Sequence, residues 1–257
     1  MPRIVTYNVH RCVGVDRRLD VGRVAAVIAE LKPDIVALQE VDVGRARSGG
    51  VDQAHELAQR LDMTFHFNAA MRVEEERYGD AILTCWPERL VKAAPLPGVR
   101  PTMVLEPRGA LWICVDLDGA PLQVINTHLG LTPREQHKQA AALGGAEWLR
   151  RADCAAPAIL LGDFNATTAS AAYRALTARL RDARRALPTE VVAATFPSRM
   201  PFLRIDHVFV SAGIVVKAVI AARSQLTRIA SDHLPLVVDF ELEPPSAGIG
   251  SPPASSA

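Results

Sequence analysis

Residues 3–43, "RIVTYNVHRCVGVDRRLDVGRVAAVIAELKPDIVALQEVDV", decide the fold class. "RIVTYNV" reads as a strand. Asp20 then caps a helical pattern over "VGRVAAVIAEL", where Val21, Val24, Ile28 and Leu31 fall on one face. Pro33 and Asp34 end that helix, and "IVALQEV" follows as a second strand. Both strands are almost continuously apolar, the pattern of strands covered on both faces. The opening is therefore strand, helix, strand in a buried sheet.

Working outward, a second helix is expected over "DQAHELAQRL", with strands over "TFHFNAA", "DAILTCW", "ALWICVDL" and "LQVINTHL". The last two are separated by Asp118-Gly119, a strong hairpin signal. Thr132 and Pro133 open a helix expected to run to about Arg151. "AILLGDF" is the next strand, and "ASAAYRALTARL" is helical with Tyr173, Leu176 and Leu180 as its apolar stripe. "LRIDHVFV", "IVVKAVIAA" and "LPLVVDFEL" complete the strands. Mixed strands, few helices and no linker before Glu243 predict an α/β fold, a two-sheet mixed β-sandwich flanked by helices, as one domain over residues 1–243. Residues 244–257 are rich in Pro, Ser, Gly and Ala and read as a flexible tail. No tandem repeat is visible.

A chain of 257 residues with 49% hydrophobic content supports a substantial core, so disorder is excluded for most of it. Lys+Arg 29 against Asp+Glu 28 gives a net charge of +1, too little to draw the whole protein onto DNA or an anionic membrane, although a local basic patch stays open. Cys12, Cys85, Cys114 and Cys154 are scattered among apolar residues and form no C-x-x-C pair. That suits reduced thiols and a cytoplasmic setting, while a secreted form stripped of its leader stays open. The chain moves straight into a strand pattern, with neither a leader nor an apolar run of spanning length, which predicts neither export nor stable membrane insertion.

The apolar strands share a second feature. "TYNVH", "ALQEV", "INTHL", "LLGDFN", "RIDHVF" and "SDHLPLVV" each carry a carboxylate, amide or imidazole at or near an end. Strand ends in such sheets gather at one rim, so Asn8, Glu40, His128, Asp163, Asn165, Asp206, Asp232 and His233 are expected in one cleft. Carboxylates brought so close repel one another unless a cation neutralises them or some stay protonated. Oxygen and amide donors without cysteine favour a hard ion, Mg²⁺ or Mn²⁺. Singly, each residue has an ordinary structural reading. Asn8 and Asn165 suit turns, Glu40 could be satisfied by an arginine such as Arg45, His128 suits a core, and Asp206-His207 suits a structural pair. The coincidence of these strand ends is what favours a site.

"TYNVH", "IVALQEVD", "YGDAILT", "INTHLG", "LLGDFN", "RIDHVFVS" and "SDHLPL", in that order between Arg3 and about Leu242, resemble the endonuclease/exonuclease/phosphatase superfamily. The resemblance implies a four-layer αββα, deoxyribonuclease-like fold. It implies a divalent metal held by Glu40, with Asn8 and Asp232 supporting the metal or its waters. Asp163 and Asn165 match the pair that deprotonates and aligns the attacking water, and His233 matches the histidine at the scissile phosphate, oriented by Asp206. His128 matches a second imidazole contacting phosphate, and Asp80 the acid that orients it. Tyr78 of the same "YGDAIL" motif joins the implied catalytic set.

The implied activity is Mg²⁺- or Mn²⁺-dependent hydrolysis of a phosphodiester, with nucleic acid as the leading substrate and a monomer as the default state. "RARSGG", "RVEEER" and "TFPSRMPFLR" are candidate rim segments, in which Arg45, Arg47, Arg77, Arg199 and Arg204 would meet phosphates and Phe196 and Phe202 would stack or pack. The alternatives are a phospholipid or small phosphate ester, the former needing an apolar hairpin such as "LPGVRPTMVLEP", and a catalytically inactive phosphate- or protein-binding module.

Overall fold

The computed structural model describes residues 1–98, 106–154, 157–187 and 194–243. In chain order the elements are β1 (Arg3–Asn8), α1 (Val21–Leu31), β2 (Ile35–Val43), α2 (Gln53–Leu61), β3 (Thr64–Val73), β4 (Glu76–Thr84), β5 (Glu88–Pro95), β6 (Gly109–Leu117) and β7 (Ala120–His128). Then come α3 (Pro133–Leu143), β8 (Ala158–Asp163), α4 (Ala171–Thr177), β9 (Arg181–Asp182), β10 (Asp206–Val210), β11 (Ile214–Ala221), α5 (Thr227–Ala230) and β12 (Leu236–Leu242). The tail read over residues 244–257 and most of the segment 96–107 lie outside the described residues.

The strands build two six-stranded sheets, ordered β11-β12-β1-β2-β4-β3 and β5-β6-β7-β8-β10-β9. Each has one parallel pair at its centre, β1 with β2 and β7 with β8, and is antiparallel elsewhere. α1 and α3 are the crossovers those pairs require. Alternate side chains take opposite faces. Ile4 and Ile35 therefore meet Ile113, Val124 and Ile159 between the sheets, whereas Val5, Val36 and Leu38 turn outward onto Val24 and Ile28 of α1 and Leu57 of α2. The other sheet presents Trp112, Ile125, Leu160 and Phe209 to Leu143 of α3 and to Tyr173 and Leu176 of α4. The layers run helix, sheet, sheet, helix, which is why the strands read as unbroken apolar runs.

Side chains start the helices where the sequence placed them. Asp20, Asp52 and Thr132 accept from the backbone N–H groups of Arg23, His55 and Glu135. α3 is shorter than expected, ending at Leu143 instead of about Arg151. Gly144 and Gly145 follow, the poorest ordinary helix formers, and the chain turns there to seat Trp148 beside Trp112 at 6.4 Å between ring centroids.

Two backbone features shape the rim. In β2 the register jumps between Leu38, opposite Ala81, and Val41, opposite Gly79, so Gln39 and Glu40 bulge and Glu40 adopts φ 59°. Gly79 has no room for a side chain, since a Cβ there would lie 1.9 Å from the Asn68 carbonyl oxygen. Behind the bulge, Asn126 of β7 ties the sheets together. Its Nδ2 donates to the carbonyls of Leu38 (2.8 Å) and Ala81 (2.9 Å), and its Oδ1 accepts from Gln39 Nε2 (2.7 Å), all fully buried.

Candidate active site

Because β1, β7 and β8 end at one rim, while β10 and the loop before β12 begin there, Asn8, His128, Asp163, Asp206 and His233 converge. They meet around a cleft of about 350 Å³ whose lining includes Glu40, Tyr78, His128, Asp163, Asn165, Phe196, Asp232 and His233. Gly162 makes the approach possible. At φ 144°, with a would-be Cβ 1.8 Å from the Thr127 carbonyl oxygen, only glycine lets β8 bring Asp163 level with His128.

Asn8 is the hinge pin between the sheets. Its Nδ2 donates to Glu40 Oε1 and to Asp163 Oδ2, each at 3.0 Å, and its Oδ1 accepts from the His10 N–H. The amide thus holds two carboxylates side by side and does not aim its oxygen at them. Asp163 is almost wholly buried, and burial is the main reason its pKa lies above the usual carboxylate range. The facing His233 pulls it down, and Asp206 pushes it up. The Asn165 N–H donates to Asp163 Oδ1 at 2.8 Å.

His233 Nδ1 faces Asp206 Oδ2 at 2.9 Å, and Nε2 lies 3.6 Å from Asp163 Oδ2. Burial alone would lower the imidazole pKa, but the carboxylates of Asp206 and Asp163 outweigh it and raise it to about 10. His128 is the opposite case. Its Nε2 lies 3.5 Å from Asp163 Oδ2, and burial, reinforced by Arg108 and His233, holds it well below its ordinary value and neutral. Its ring nitrogens lie 3.3 Å from Arg108 Nη1 and 3.0 Å from Asn165 Nδ2, and the neutral ring accepts from one of these donors only; among the described residues no hydrogen bond joins it to Asp80. Asp80 is buried in β4, and its pKa is pushed up to about 8 by desolvation, with Arg108 opposing and Glu40 and Asp163 adding.

The sequence reading left several members of the site unassigned. Thr195 donates to Asp206 Oδ2 at 2.5 Å, and Ser231 donates to the Asn8 carbonyl at 2.7 Å, fixing the loop that carries Asp232 and His233. Arg11 and Arg108 line the cleft with Arg47. Arginines and hydroxyls are too common along a chain to stand out one by one. Of the expected rim residues, Phe196 packs on His233 at 4.8 Å between ring centroids. Arg45 pairs with Glu76 and not Glu40, Arg204 with buried Asp182, and Arg77 lies over Phe67. Arg199 is exposed beside Gln225, Arg228 and Ile229, in a depression apart from the cleft.

The site has the chemistry of a hard-cation centre. Glu40 pairs with no Arg, Lys or His among the described residues, and Asp206 Oδ1 is buried without a hydrogen-bond partner. Asp163, Asp206 and His233 bring potential ligand atoms within 4.8 Å of one another. Acid oxygens and imidazole without thiolate fit a divalent cation.

The model of the endonuclease/exonuclease/phosphatase family matches residues 5–233. The chain belongs to that family. It is 27% identical over 253 residues to the uncharacterized protein YbhP of Escherichia coli K12, covering 93% of this chain and 96% of that one. A family member from Beutenbergia cavernae superposes with a TM-score of 0.71 at 25% identity, over 94% of this chain and 72% of that one. The mannosyl-6-phosphatase Bt3783 of Bacteroides thetaiotaomicron has the same fold, with a TM-score of 0.73 at 19% identity over 94% of this chain and 100% of that one. The family acts on phosphate esters, and the two-sheet architecture here is its architecture.

Proposed function

We propose that the protein is a Mg²⁺- or Mn²⁺-dependent phosphodiesterase that cleaves its ester by direct attack of water on phosphorus. The observation that carries this reading is the Asn8 side chain, which sets Glu40 and Asp163 against each other in reach of His233. Glu40 would hold the cation with Asp232, and when bound the ion supplies neutralisation of charge on the phosphate oxygens. Asp163, made more basic by burial, takes the proton of a water that the Asn165 amide helps align. His233, kept protonated by Asp206 and Asp163, donates toward the leaving oxygen, and neutral His128 offers a hydrogen bond to the phosphate. Thr195 keeps Asp206 turned toward His233. Tyr78 floors the cleft beneath Arg47.

Nucleic acid remains the first substrate to test, but the engaged arginines of the rim and the small cleft favour a compact phosphate ester. A phosphatase among the fold relatives supports that second reading. Four free thiols suit the cytoplasmic placement. The decisive experiment is a Mg²⁺/Mn²⁺-dependent hydrolysis screen over single-stranded and duplex DNA, RNA, sphingomyelin, inositol phosphates and a bis-aryl phosphodiester, with Glu40→Gln as control. Turnover that drops at least about a hundredfold in the control supports the reading. No turnover on any substrate, with no divalent-ion binding by calorimetry, replaces it with a non-catalytic binding module.

A further inference from the structure

The cleft is also lined by two cations that the catalytic scheme does not use, Arg11 and Arg47. Just past β1 the backbone makes consecutive left-handed residues, His10, Arg11 and Cys12 at φ 45°, 57° and 57°, none of them glycine. Such conformations persist only where surrounding contacts enforce them, and they concentrate at functional sites. Here the enforcing contact is Gln53 of α2, whose Nε2 donates to the Arg11 carbonyl at 2.7 Å while its Oε1 accepts from the Asp42 N–H at 3.0 Å. One amide therefore locks the backbone of Arg11 to that of the residue holding Arg47.

The two guanidinium groups are set differently. Asp42, with no exposure at all, grips Arg47 through Nε and Nη2 at 2.8 and 2.7 Å, and the guanidinium lies over the Tyr78 ring at 5.2 Å, with no hydrogen bond from Nη1 among the described residues. Arg11 pairs with no carboxylate among the described residues. Its Nη2 donates to His10 Nε2 at 2.6 Å, His10 Nδ1 donates to the Val13 carbonyl at 3.0 Å, and the Arg11 Nε is buried without a partner. His10, whose Nδ1 also lies 3.9 Å from Asp232 Oδ1, holds the Arg11 guanidinium at the cleft without an anion, one half of an ion pair whose other half is absent.

We propose that Arg11 and Arg47 form a second anion subsite, and that the substrate carries a further phosphate next to the one hydrolysed. This rests on the reading above, the phosphodiesterase together with its second form acting on a compact phosphate ester, and adds a substrate class to it. The further phosphate has two chemical sources, a neighbouring linkage of a short nucleotide or a second phosphate on a small bisphosphorylated molecule.

The test compares kcat/KM on a bis-aryl phosphodiester, which has one anionic group, with kcat/KM on a 5′-phosphorylated dinucleotide and on an inositol bisphosphate, for wild type, Arg11→Gln and Arg47→Lys. Calorimetric titration of inorganic pyrophosphate into the same proteins gives a readout independent of turnover. Arg47→Lys keeps a cation over Asp42, so a misfolded Arg47→Gln protein does not decide the matter. The expected result is that Arg11→Gln lowers kcat/KM about tenfold more on a two-phosphate substrate than on the bis-aryl ester, mainly through KM, and weakens pyrophosphate binding about tenfold. The two-phosphate substrate that shows the larger loss identifies the source. Equal losses on all substrates, or unchanged pyrophosphate binding, overturn the subsite while leaving the phosphoesterase reading intact. Absence of turnover with any substrate overturns that reading, and pyrophosphate binding then judges the subsite alone.

Discussion

Asp163 and Glu40 lie against one amide nitrogen, yet the proposed mechanism gives them different work, and isosteric amides separate the chemistry from the fold. Glu40→Gln and Asp163→Asn are each expected to lower kcat by about a hundredfold or more while moving the unfolding temperature little, as read by scanning calorimetry beside the rate assay. His207 yields a prediction about pH. It stands on β10 among Phe164, Tyr173 and Phe209, donates through Nε2 to the Ala166 carbonyl at 2.8 Å, and leaves Nδ1 buried without a partner. Burial is the main cause that lowers its pKa to about 4, with Arg204 adding, although the bond to Ala166 and the carboxylates Asp182 and Asp206 oppose. A histidine depressed in the folded state binds its proton more readily when unfolded. Its neutral form therefore stabilises fully above the unfolded value near pH 6.5, and that stability is lost as pH falls toward 4, by about 3 kcal/mol in all. His207→Leu should flatten the fall of unfolding temperature between those pH values. An unchanged slope would assign acid sensitivity to other groups.

At the scale of elements, the bulge in β2 is held from behind by Asn126. Removing that amide takes its donor from the buried Leu38 and Ala81 carbonyls and one of its partners from Gln39, which keeps Thr6 and the Ala37 carbonyl, so Asn126→Ala should cost about 3 kcal/mol in urea unfolding and reduce activity as Glu40 loses its fixed place. The bulge itself could not be read from "IVALQEV", because its cause is the partner strand and Gly79, whereas the position of Glu40 at the end of an apolar run was legible. The strand pattern was readable where both faces are covered. It failed for β5, "ERLVKAAP", an edge strand whose partly exposed charged residues erase the apolar signal. The candidate site was legible where acids and imidazoles end apolar strands, and illegible where common residues such as Thr195 and Arg11 are brought to it by loop conformations that only tertiary contacts create.

For the whole molecule, the proposed ion site would link binding to folding. Mg²⁺ at about a hundred times its Kd should stabilise the native state by about 3 kcal/mol. The unfolding temperature of wild type should therefore rise with Mg²⁺ and fall back with chelator, and Glu40→Gln should lose most of that response. No repeat is visible in the sequence, yet the topology repeats. Taken from β11, the series β11-β12-β1-α1-β2-α2-β3-β4, with α5 aside, has the same order and the same sheet placement as β5-β6-β7-α3-β8-α4-β9-β10. The halves share a layout and not residues, and one of them is wrapped across the two ends of the described chain. Asn8 and His128 stand at equivalent strand ends, and Glu40 and Asp163 lie on equivalent strands. The first and last described strands meet close to those ends, where the Phe240 N–H donates to the Pro2 carbonyl at 3.1 Å. A circularly rewired version, cut between Thr84 and Glu88 with the C-terminal residue joined to Met1, would therefore spell out the two lobes one after the other, and because both lobes share the core between the sheets, it should melt in a single step and keep its turnover.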